Sequence, residues 1–223
     1  MSALLRRKVR HDAVEPGHDC PLCPRLVAFR EEWRAREPGW HNAPVPAFGP
    51  SNARLMIVGL APGLRGANRT GRPFTGDYAG DLLYATLAEF GFAHGHYRAT
   101  PDDGLALDDG IIVNAVRCVP PQNKPTGVEI AACRPFLTGQ IDALPQLSAV
   151  VALGRIAHES VVRALGGKPG RVPFGHGAEH DIDRIRLFDS YHCSRYNTNT
   201  RVLTPEMFRA VFQRVRAFLD SKA

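Results

Sequence analysis

Four short, almost continuously apolar runs constrain the fold of this chain more than any other feature: RLMIVGL, GIIVNAV, LSAVVALG and RIRLFDSYH. Stretches with helical periodicity separate or follow them, near AGDLLYATLAEFGF, GVEIAACRPFLTGQIDAL, RIAHESVVRALG and TPEMFRAVFQRVRAFLD. Strands that are apolar along their whole length are buried on both faces, and intervening helices connect parallel neighbours. We therefore predict an α/β three-layer sandwich with a central, mostly parallel four-stranded sheet flanked by helices.

The first 50 residues have a different pattern. They contain a cysteine pair, an amphipathic segment around RLVAFREEWRARE and the proline-rich HNAPVPAFGPSN, which indicate a helical arm followed by a linker. A chain of 223 residues with 44% hydrophobic content can bury one sizeable core. We expect a monomer with a single domain over residues 1–223, in which residues 1–50 form the N-terminal arm.

The charge balance suggests a phosphate-rich partner. The formal net charge is +6, and the basic side chains are almost all arginines. Planar guanidinium groups pair bidentately with phosphates, so DNA or RNA is an expected partner. The first residues are basic but lack an apolar signal region, and no later run is long enough to cross a bilayer. We expect a cytoplasmic protein that does not bind a membrane.

Four of the five cysteines form a close pair and two distant singles: Cys20, Cys23, Cys118 and Cys133. A disulfide framework is unfavourable in a reducing compartment and would leave one thiol over, so metal ligation is the better interpretation. Four thiolates hold either an iron–sulfur cluster or a tetrahedral zinc ion, and a zinc site normally has two close pairs. The spacing therefore favours a cluster, and packing as small buried residues is the remaining alternative.

Polar or glycine residues follow each predicted strand. Gly59–Gly63 ends the first run, Asn114 ends the second, Gly154 and Arg155 end the third, and Tyr191, His192 and Cys193 end the fourth. Loops at the carboxyl ends of parallel strands converge on a crevice where ligands bind, so we place the site there. Cys193 adjoins His192, but neighbours on a strand face opposite sides, which disfavours a Cys-His dyad.

The loop GLAPGLRGANRTGRPFTGDYAG carries three arginines, one aromatic residue and one acid: Arg65, Arg69, Arg72, Phe74 and Asp77. Its glycines let backbone N–H groups approach a ligand, arginines bind phosphates, and an aromatic ring offers a stacking surface. Neither a Walker sequence nor dinucleotide-binding spacing is present. The alternative is a surface loop with solvated arginines and Phe74 packed in the core.

Three segments, GLAPG with GANRTGRPFTGD, NAVRCVPPQNKP and HCSRYNTNT, together resemble family 5 (type B) enzymes of the uracil-DNA glycosylase superfamily. The resemblance implies a DNA repair enzyme that hydrolyses the N-glycosidic bond of uracil in DNA and leaves an abasic site. It implies that other deaminated bases, such as hypoxanthine and xanthine, are also accepted. It further implies a structural [4Fe–4S] cluster on the four cysteines, with zinc as the alternative, that ties the arm to VPPQNKPT.

The resemblance also implies roles within the pocket. Phe74 stacks on the flipped base, Asn114 hydrogen-bonds its edge, and His192 donates to O2, where negative charge collects as the bond breaks. Main-chain groups of the first motif line the pocket: Gly59, Leu60, Ala61, Pro62 and Gly63. As alternatives, Asn114 caps a turn and His192 is a structural histidine.

The resemblance also implies the water-activating residue. The first motif contains no carboxylate, and Asp77 matches the acid proposed for family 5. It either orients water and stabilises the cationic sugar, or caps the following helix. No lysine lies in the motifs, so we expect simple hydrolysis without a Schiff base.

Candidate DNA contacts are the loop arginines Arg65, Arg69 and Arg72, together with Ser194, Arg195 and Tyr196. The chain departs from the family pattern at Cys193, where proline is usual, and at Thr200–Thr204, where Thr-Gly-Arg-Leu-Thr is usual. These departures leave the base preference open. The competing hypothesis is a non-catalytic iron–sulfur DNA-binding protein, a damage or redox sensor, which needs neither Asn114 nor His192.

Overall fold

The computed structural model describes residues 15–222, so the first part of the expected arm lies outside the described residues. The strands are β1 (Leu55–Gly59), β2 (Ala93–His94), β3 (Ala106–Leu107), β4 (Gly110–Asn114), β5 (Ala149–Leu153), β6 (Glu179–Ile182) and β7 (Ile185–Ser190). The helices are α1 (Pro24–Arg36), α2 (Ala67–Thr70), α3 (Tyr78–Glu89), α4 (Gly127–Asp142), α5 (Arg155–Ala164), α6 (Arg195–Asn199) and α7 (Pro205–Asp220).

The central sheet has the order β4-β1-β5-β7-β6, and β2 and β3 form a separate two-stranded ribbon. The four predicted strands are parallel to their neighbours, whereas β6 pairs antiparallel with β7. The predicted count of four strands is therefore wrong, because the sheet has five strands within residues 15–222. The sequence of β6, EHDI, is polar and its side chains are only partly buried, so this edge strand lacks the apolar run that reveals the others.

Side chains alternate between two helical layers, as the three-layer prediction requires. Ile57 and Val151 face one layer, which is formed by α3 and α7, while Val58 and Val150 face the layer formed by α4 and α5. Both faces of β1, β4 and β5 are buried along their whole length. The α/β fold with a mostly parallel, helix-flanked sheet is confirmed.

Local signals fix where the helices begin. Thr126 and Glu129 form a capping box at the start of α4, and Thr204 caps α7, which has a proline in its first turn. The arm contacts this frame through Arg25, whose guanidinium donates to both carboxylate oxygens of Glu129 at 2.8 and 2.7 Å. Over residues 15–222, no helix combines the length and apolarity needed to cross a membrane.

Candidate active site

A cavity of about 430 Å³ opens at the carboxyl ends of the parallel strands. It is lined by the first motif, the long loop, the end of β4 and the segment after β7: Leu60, Ala61, Pro62, Gly63, Ala67, Phe74, Asp77, Tyr78, Ala79, Asn114, Asn123, His192, Ser194 and Arg195. The structure thus brings most of the sequence-predicted residues to one place. The volume of the cavity lies in the range of small-molecule binding sites.

Asn114 ends β4 directly opposite Gly59 on β1. Its side chain is almost buried, with 3% of the residue exposed, and within residues 15–222 no hydrogen bond to its carboxamide is found. A Cβ at Gly59 would lie 2.5 Å from Asn114 Oδ1 and 2.7 Å from Phe74 Cζ. Gly59 is not among the residues that line the cavity, but its lack of a side chain leaves room for the Asn114 carboxamide and the Phe74 ring.

Phe74 has a left-handed backbone, with φ of 53°. Such a conformation costs a bulky residue about 1–3 kcal/mol and persists only where the surroundings enforce it. The residue is 6% exposed, and its ring stacks on the His192 ring at 5.9 Å between centroids and 26° between planes. Phe74 thus packs against the core and also forms a wall of the cavity, so the two interpretations of this residue are not exclusive.

His192 follows β7, and a side chain of α6 forms a hydrogen bond to its main chain. The side chain of Asn197 donates to the His192 carbonyl at 2.8 Å, and Ser194 caps α6 by accepting from Asn197 N. Burial lowers the pKa of His192 to about 4, since the protonated ring would lose its hydration. The imidazole is therefore neutral near pH 7 and retains one N–H to donate.

Asp77 both caps a helix and lines the cavity. Its Oδ1 accepts from Gly80 N at 3.3 Å at the start of α3. Its second carboxylate oxygen, Oδ2, lies next to Gly66, where an added Cβ would be 2.6 Å away. Burial raises the pKa of the carboxyl, and backbone hydrogen bonds from Gly80 and Ala79 oppose that shift. The carboxylate can thus stay anchored through one oxygen and present the other.

Four cavity residues were not assigned from the sequence: Ala67, Ala79, Asn123 and Tyr78, of which the last two have polar side chains. Asn123 comes from the 3₁₀ turn Pro121–Asn123 within VPPQNKPT and has φ of 55°, a conformation that asparagine tolerates better than most residues. Tyr78 begins α3, and the Arg195 guanidinium lies 5.1 Å from its ring centroid. The motif that contains Asn123 was visible in the sequence, but nothing there indicated that the turn folds back over the cavity.

The six predicted DNA-contact residues fall into three groups. Arg65, Arg69 and Tyr196 are exposed but do not line the cavity, whereas Ser194 and Arg195 do. Arg72 does not fit the prediction, because it is only 4% exposed and pairs with Asp103 at 2.8 and 2.7 Å. A guanidinium already paired and buried is not available to a phosphate. Its partner lies 31 positions away, so sequence motifs did not reveal it.

The four predicted cysteine ligands line a second cavity together with Leu26, Val116 and Phe136. The backbone N–H of Arg117 donates to Cys133 Sγ at 3.3 Å. Burial raises the pKa of Cys118 to about 12 and that of Cys133 to about 11. Among the described side chains, no three Cys, His, Asp or Glu residues converge closely enough to hold one metal ion. Cys193 lies apart, fully buried under Ala79, whose carbonyl accepts from its thiol at 3.5 Å.

Comparisons with known proteins agree with this arrangement. Residues 46–216 match the family described as the Uracil DNA glycosylase superfamily. A type-5 uracil-DNA glycosylase of Thermus thermophilus is 46% identical over 204 residues, which cover 88% of this chain and 92% of that protein. A type-5 uracil-DNA glycosylase of Pyrobaculum aerophilum is 39% identical over 92% of both chains, and a type-4 enzyme of Sulfurisphaera tokodaii is 33% identical over 75% of this chain and 72% of its own. The resemblance seen in the sequence is confirmed, and the chain belongs to the uracil-DNA glycosylase superfamily, in its type-5 branch.

Proposed function

We propose that this protein is a monofunctional DNA glycosylase that hydrolyses the N-glycosidic bond of uracil in DNA and leaves an abasic site. The observation that carries the proposal is the almost buried carboxamide of Asn114, which faces the cavity without a partner among the described residues. The Asn114 amide atoms are not among the polar atoms buried without a partner, so they are accessible from the cavity, where a substrate can pair with both of them.

Recognition follows from the side chains that surround the cavity. The base leaves the stack and enters edge first, and the Phe74 ring provides the surface on which it packs. The Asn114 amide donates to O4 of uracil and accepts from N3–H, and the other cavity walls exclude water from these bonds.

Bond cleavage moves an electron pair from the C1′–N1 bond onto the uracil ring, so negative charge grows on O2. The neutral His192 ring donates its N–H to that oxygen, an interaction that strengthens as the charge develops. A neutral donor keeps its proton while the bond breaks, so uracil leaves as a hydrogen-bonded anion.

Asp77 acts on the other side of the breaking bond. Its free carboxylate oxygen orients a water molecule towards C1′, stabilises the cationic sugar and takes the proton of the attacking water. Because burial raises the pKa of this carboxyl, it is a stronger base than an exposed aspartate. The hydrogen bond to Gly80 N keeps the group from rotating away. Asn123, at the cavity wall, is a second candidate for holding that water.

The same geometry supports activity on other deaminated bases. Hypoxanthine and xanthine present a carbonyl next to a ring N–H, as uracil does, and one side-chain amide can pair with this edge in all three bases. A cavity of about 430 Å³ leaves room for a purine. We therefore propose that the enzyme also removes hypoxanthine and xanthine.

We propose further that Cys20, Cys23, Cys118 and Cys133 hold a structural [4Fe–4S] cluster, with zinc as the alternative. Support comes from four thiols around one apolar cavity and from an N–H donor to Cys133 Sγ. When bound, the cluster supplies a covalent cross-link that joins the arm to the segment after β4 and to α4. We assign it no part in bond cleavage. We also propose that the protein acts in the cytoplasm, where thiols are kept reduced and can serve as such ligands.

Purified protein incubated with a uracil-containing single strand, a U·G duplex and matched hypoxanthine and xanthine strands tests the proposal. We expect alkali-labile abasic sites from the uracil substrates. Protein that binds these strands but forms no abasic sites, whether handled with or without oxygen, would instead support the non-catalytic iron–sulfur sensor. Iron and acid-labile sulfide are measured on the same preparation, and stoichiometric zinc would replace the cluster.

A further inference from the structure

The strained backbone of Phe74 is held by hydroxyl groups that lie outside the cavity. The Phe74 carbonyl accepts from Tyr97 Oη at 3.1 Å, and the preceding Pro73 carbonyl accepts from Tyr84 Oη at 2.6 Å. These two carbonyls flank the φ torsion of Phe74, so fixing both restrains that torsion at its observed 53°. The Tyr97 hydroxyl also accepts from Gly76 N at 3.4 Å, two residues further along the loop.

The two tyrosines are themselves fixed. Their rings stack at 4.6 Å, and the Arg72 guanidinium lies 5.5 Å from the Tyr84 centroid and 5.8 Å from that of Tyr97. Arg72 is locked in turn by its paired hydrogen bonds to Asp103. We call this unit the tyrosine clamp; it consists of Arg72, Tyr84, Tyr97 and Asp103. In it, Arg72 packs on the two tyrosine rings instead of contacting DNA.

The first turn of α3 packs against the tyrosine clamp. A Cβ at Gly80 would collide with the Phe74 carbonyl oxygen and with the Tyr97 hydroxyl, so the helix backbone packs directly on both. Burial raises the pKa of Tyr97 to about 12 and that of Tyr84 further above its usual range, so both phenols keep the proton that they donate.

We propose that Tyr84 and Tyr97 are positioning residues for base recognition, which act by holding the Phe74 main chain in the conformation that turns its ring into the cavity. Neither tyrosine is among the residues that line the cavity, so neither touches the base directly. The inference rests on the proposed function, because it takes Phe74 as the surface on which the base stacks.

Tyr84→Phe and Tyr97→Phe test the inference, since each removes one hydroxyl and keeps the stacked ring. With a hydrogen bond of ordinary strength lost, we expect each variant to excise uracil about fivefold more slowly in single-turnover assays, at unchanged DNA affinity. Ser160→Ala is the matched control. It removes a buried hydroxyl that donates to the Ile156 carbonyl at 2.7 Å within α5, far along the chain from the clamp, and should excise uracil at the wild-type rate.

A double-mutant cycle with Phe74→Ala separates positioning from a general effect on the fold. If the hydroxyls act through the Phe74 ring, Tyr97→Phe slows the wild-type enzyme but not the Phe74→Ala enzyme. An unchanged rate for both single tyrosine variants would overturn the inference. The same slowing in both backgrounds would overturn it as well, because the ring would then be irrelevant to the effect.

Crystal structures of the two single variants and of the double variant give a readout that needs no activity. We expect the φ of Phe74 to leave the left-handed region in at least the double variant, or in a single variant if the double variant does not fold. A torsion that stays near its present value in every variant obtained would overturn the inference. Wild-type protein without uracil excision would remove the proposed function, and the torsion would still decide whether the clamp exists.

Discussion

At the scale of single residues, glycines shape the site as much as the residues that have side chains. A Cβ at Gly59 would lie 2.5 Å from Asn114 Oδ1, one at Gly66 would lie 2.6 Å from Asp77 Oδ2, and one at Gly80 would collide with the Phe74 carbonyl. Real Cβ atoms do not approach this closely, so the Asn114 and Asp77 side chains and the Phe74 main chain each depend on a glycine neighbour.

Replacement of Asn114 tests base recognition at the residue scale. In Asn114→Ala, the uracil edge loses both of its hydrogen bonds, and we expect the single-turnover excision rate to fall by about 100-fold or more. Because Asn114 is almost buried in the cavity wall, binding to DNA should be retained. Asn52→Ala, at an exposed position, is the control. An Asn114→Ala enzyme with the wild-type rate would remove this residue from the mechanism.

The protonation state of His192 can be measured directly. Since burial lowers its pKa to about 4, the ring should stay neutral as the pH falls through 6 and become protonated only near pH 4. Nitrogen-15 NMR of labelled imidazole rings follows this titration, with His192→Gln used to assign the signal. An exposed histidine titrates near pH 6.5, and a His192 signal that does the same would contradict a neutral donor.

At the scale of elements, the carboxyl ends of β1 and β4 connect the two candidate sites. Ala115 N donates to the Gly59 carbonyl at 2.9 Å, and Val116 N donates to the Leu60 carbonyl at 3.0 Å. Asn114 precedes this pairing and Cys118 follows it within four residues. The proposed cross-link at Cys118 would therefore hold the backbone that forms one wall of the cavity.

Removing one cysteine tests the cross-link. We expect Cys118→Ala, prepared without oxygen, to lose iron and to unfold at a lower temperature, because the arm is no longer joined to the segment after β4. Cys193→Ala removes the fifth, buried thiol and should keep the wild-type iron content. Equal iron in both variants would show that Cys118 is not a ligand.

Elements whose sequence is dominated by one physical signal were predictable. The buried strands β1 and β5 are continuous apolar runs, and α7 combines a Thr204 cap with a proline in its first turn. Polar or very short elements were not predictable from the sequence. The edge strand β6 is defined by its pairing with β7, and the five-residue α6 by its Ser194 cap, so neither has an apolar run that reveals it. In the site, strand-end residues were foreseen, whereas Asn123 and the role of Arg72 depend on contacts between distant segments.

At the scale of the whole molecule, we expect exposed arginines to bind DNA and the buried Arg72 to stabilise the fold. One substitution of each kind separates these two roles. Arg65→Ala should weaken DNA binding and reduce the slope of log affinity against log salt by about one, since an exposed arginine releases about one counterion. Arg72→Met should instead leave the Asp103 carboxylate buried without its partner and lower the free energy of unfolding by about 3–5 kcal/mol. Filter binding and thermal unfolding of both variants check this division, and a folded, fully stable Arg72→Met protein with a reduced salt slope would reverse the assignment.

The central claim is that loops distant in the chain meet over one sheet edge to hold a single extruded base. The most direct measurement is a crystal structure of the Asp77→Asn protein, which keeps the hydrogen bond acceptor to Gly80 N, bound to DNA with one uracil. We expect uracil to pack on Phe74, with O4 and N3–H at the Asn114 amide and O2 at a His192 ring nitrogen. Uracil left stacked in the DNA, or bound elsewhere on the protein, would contradict it.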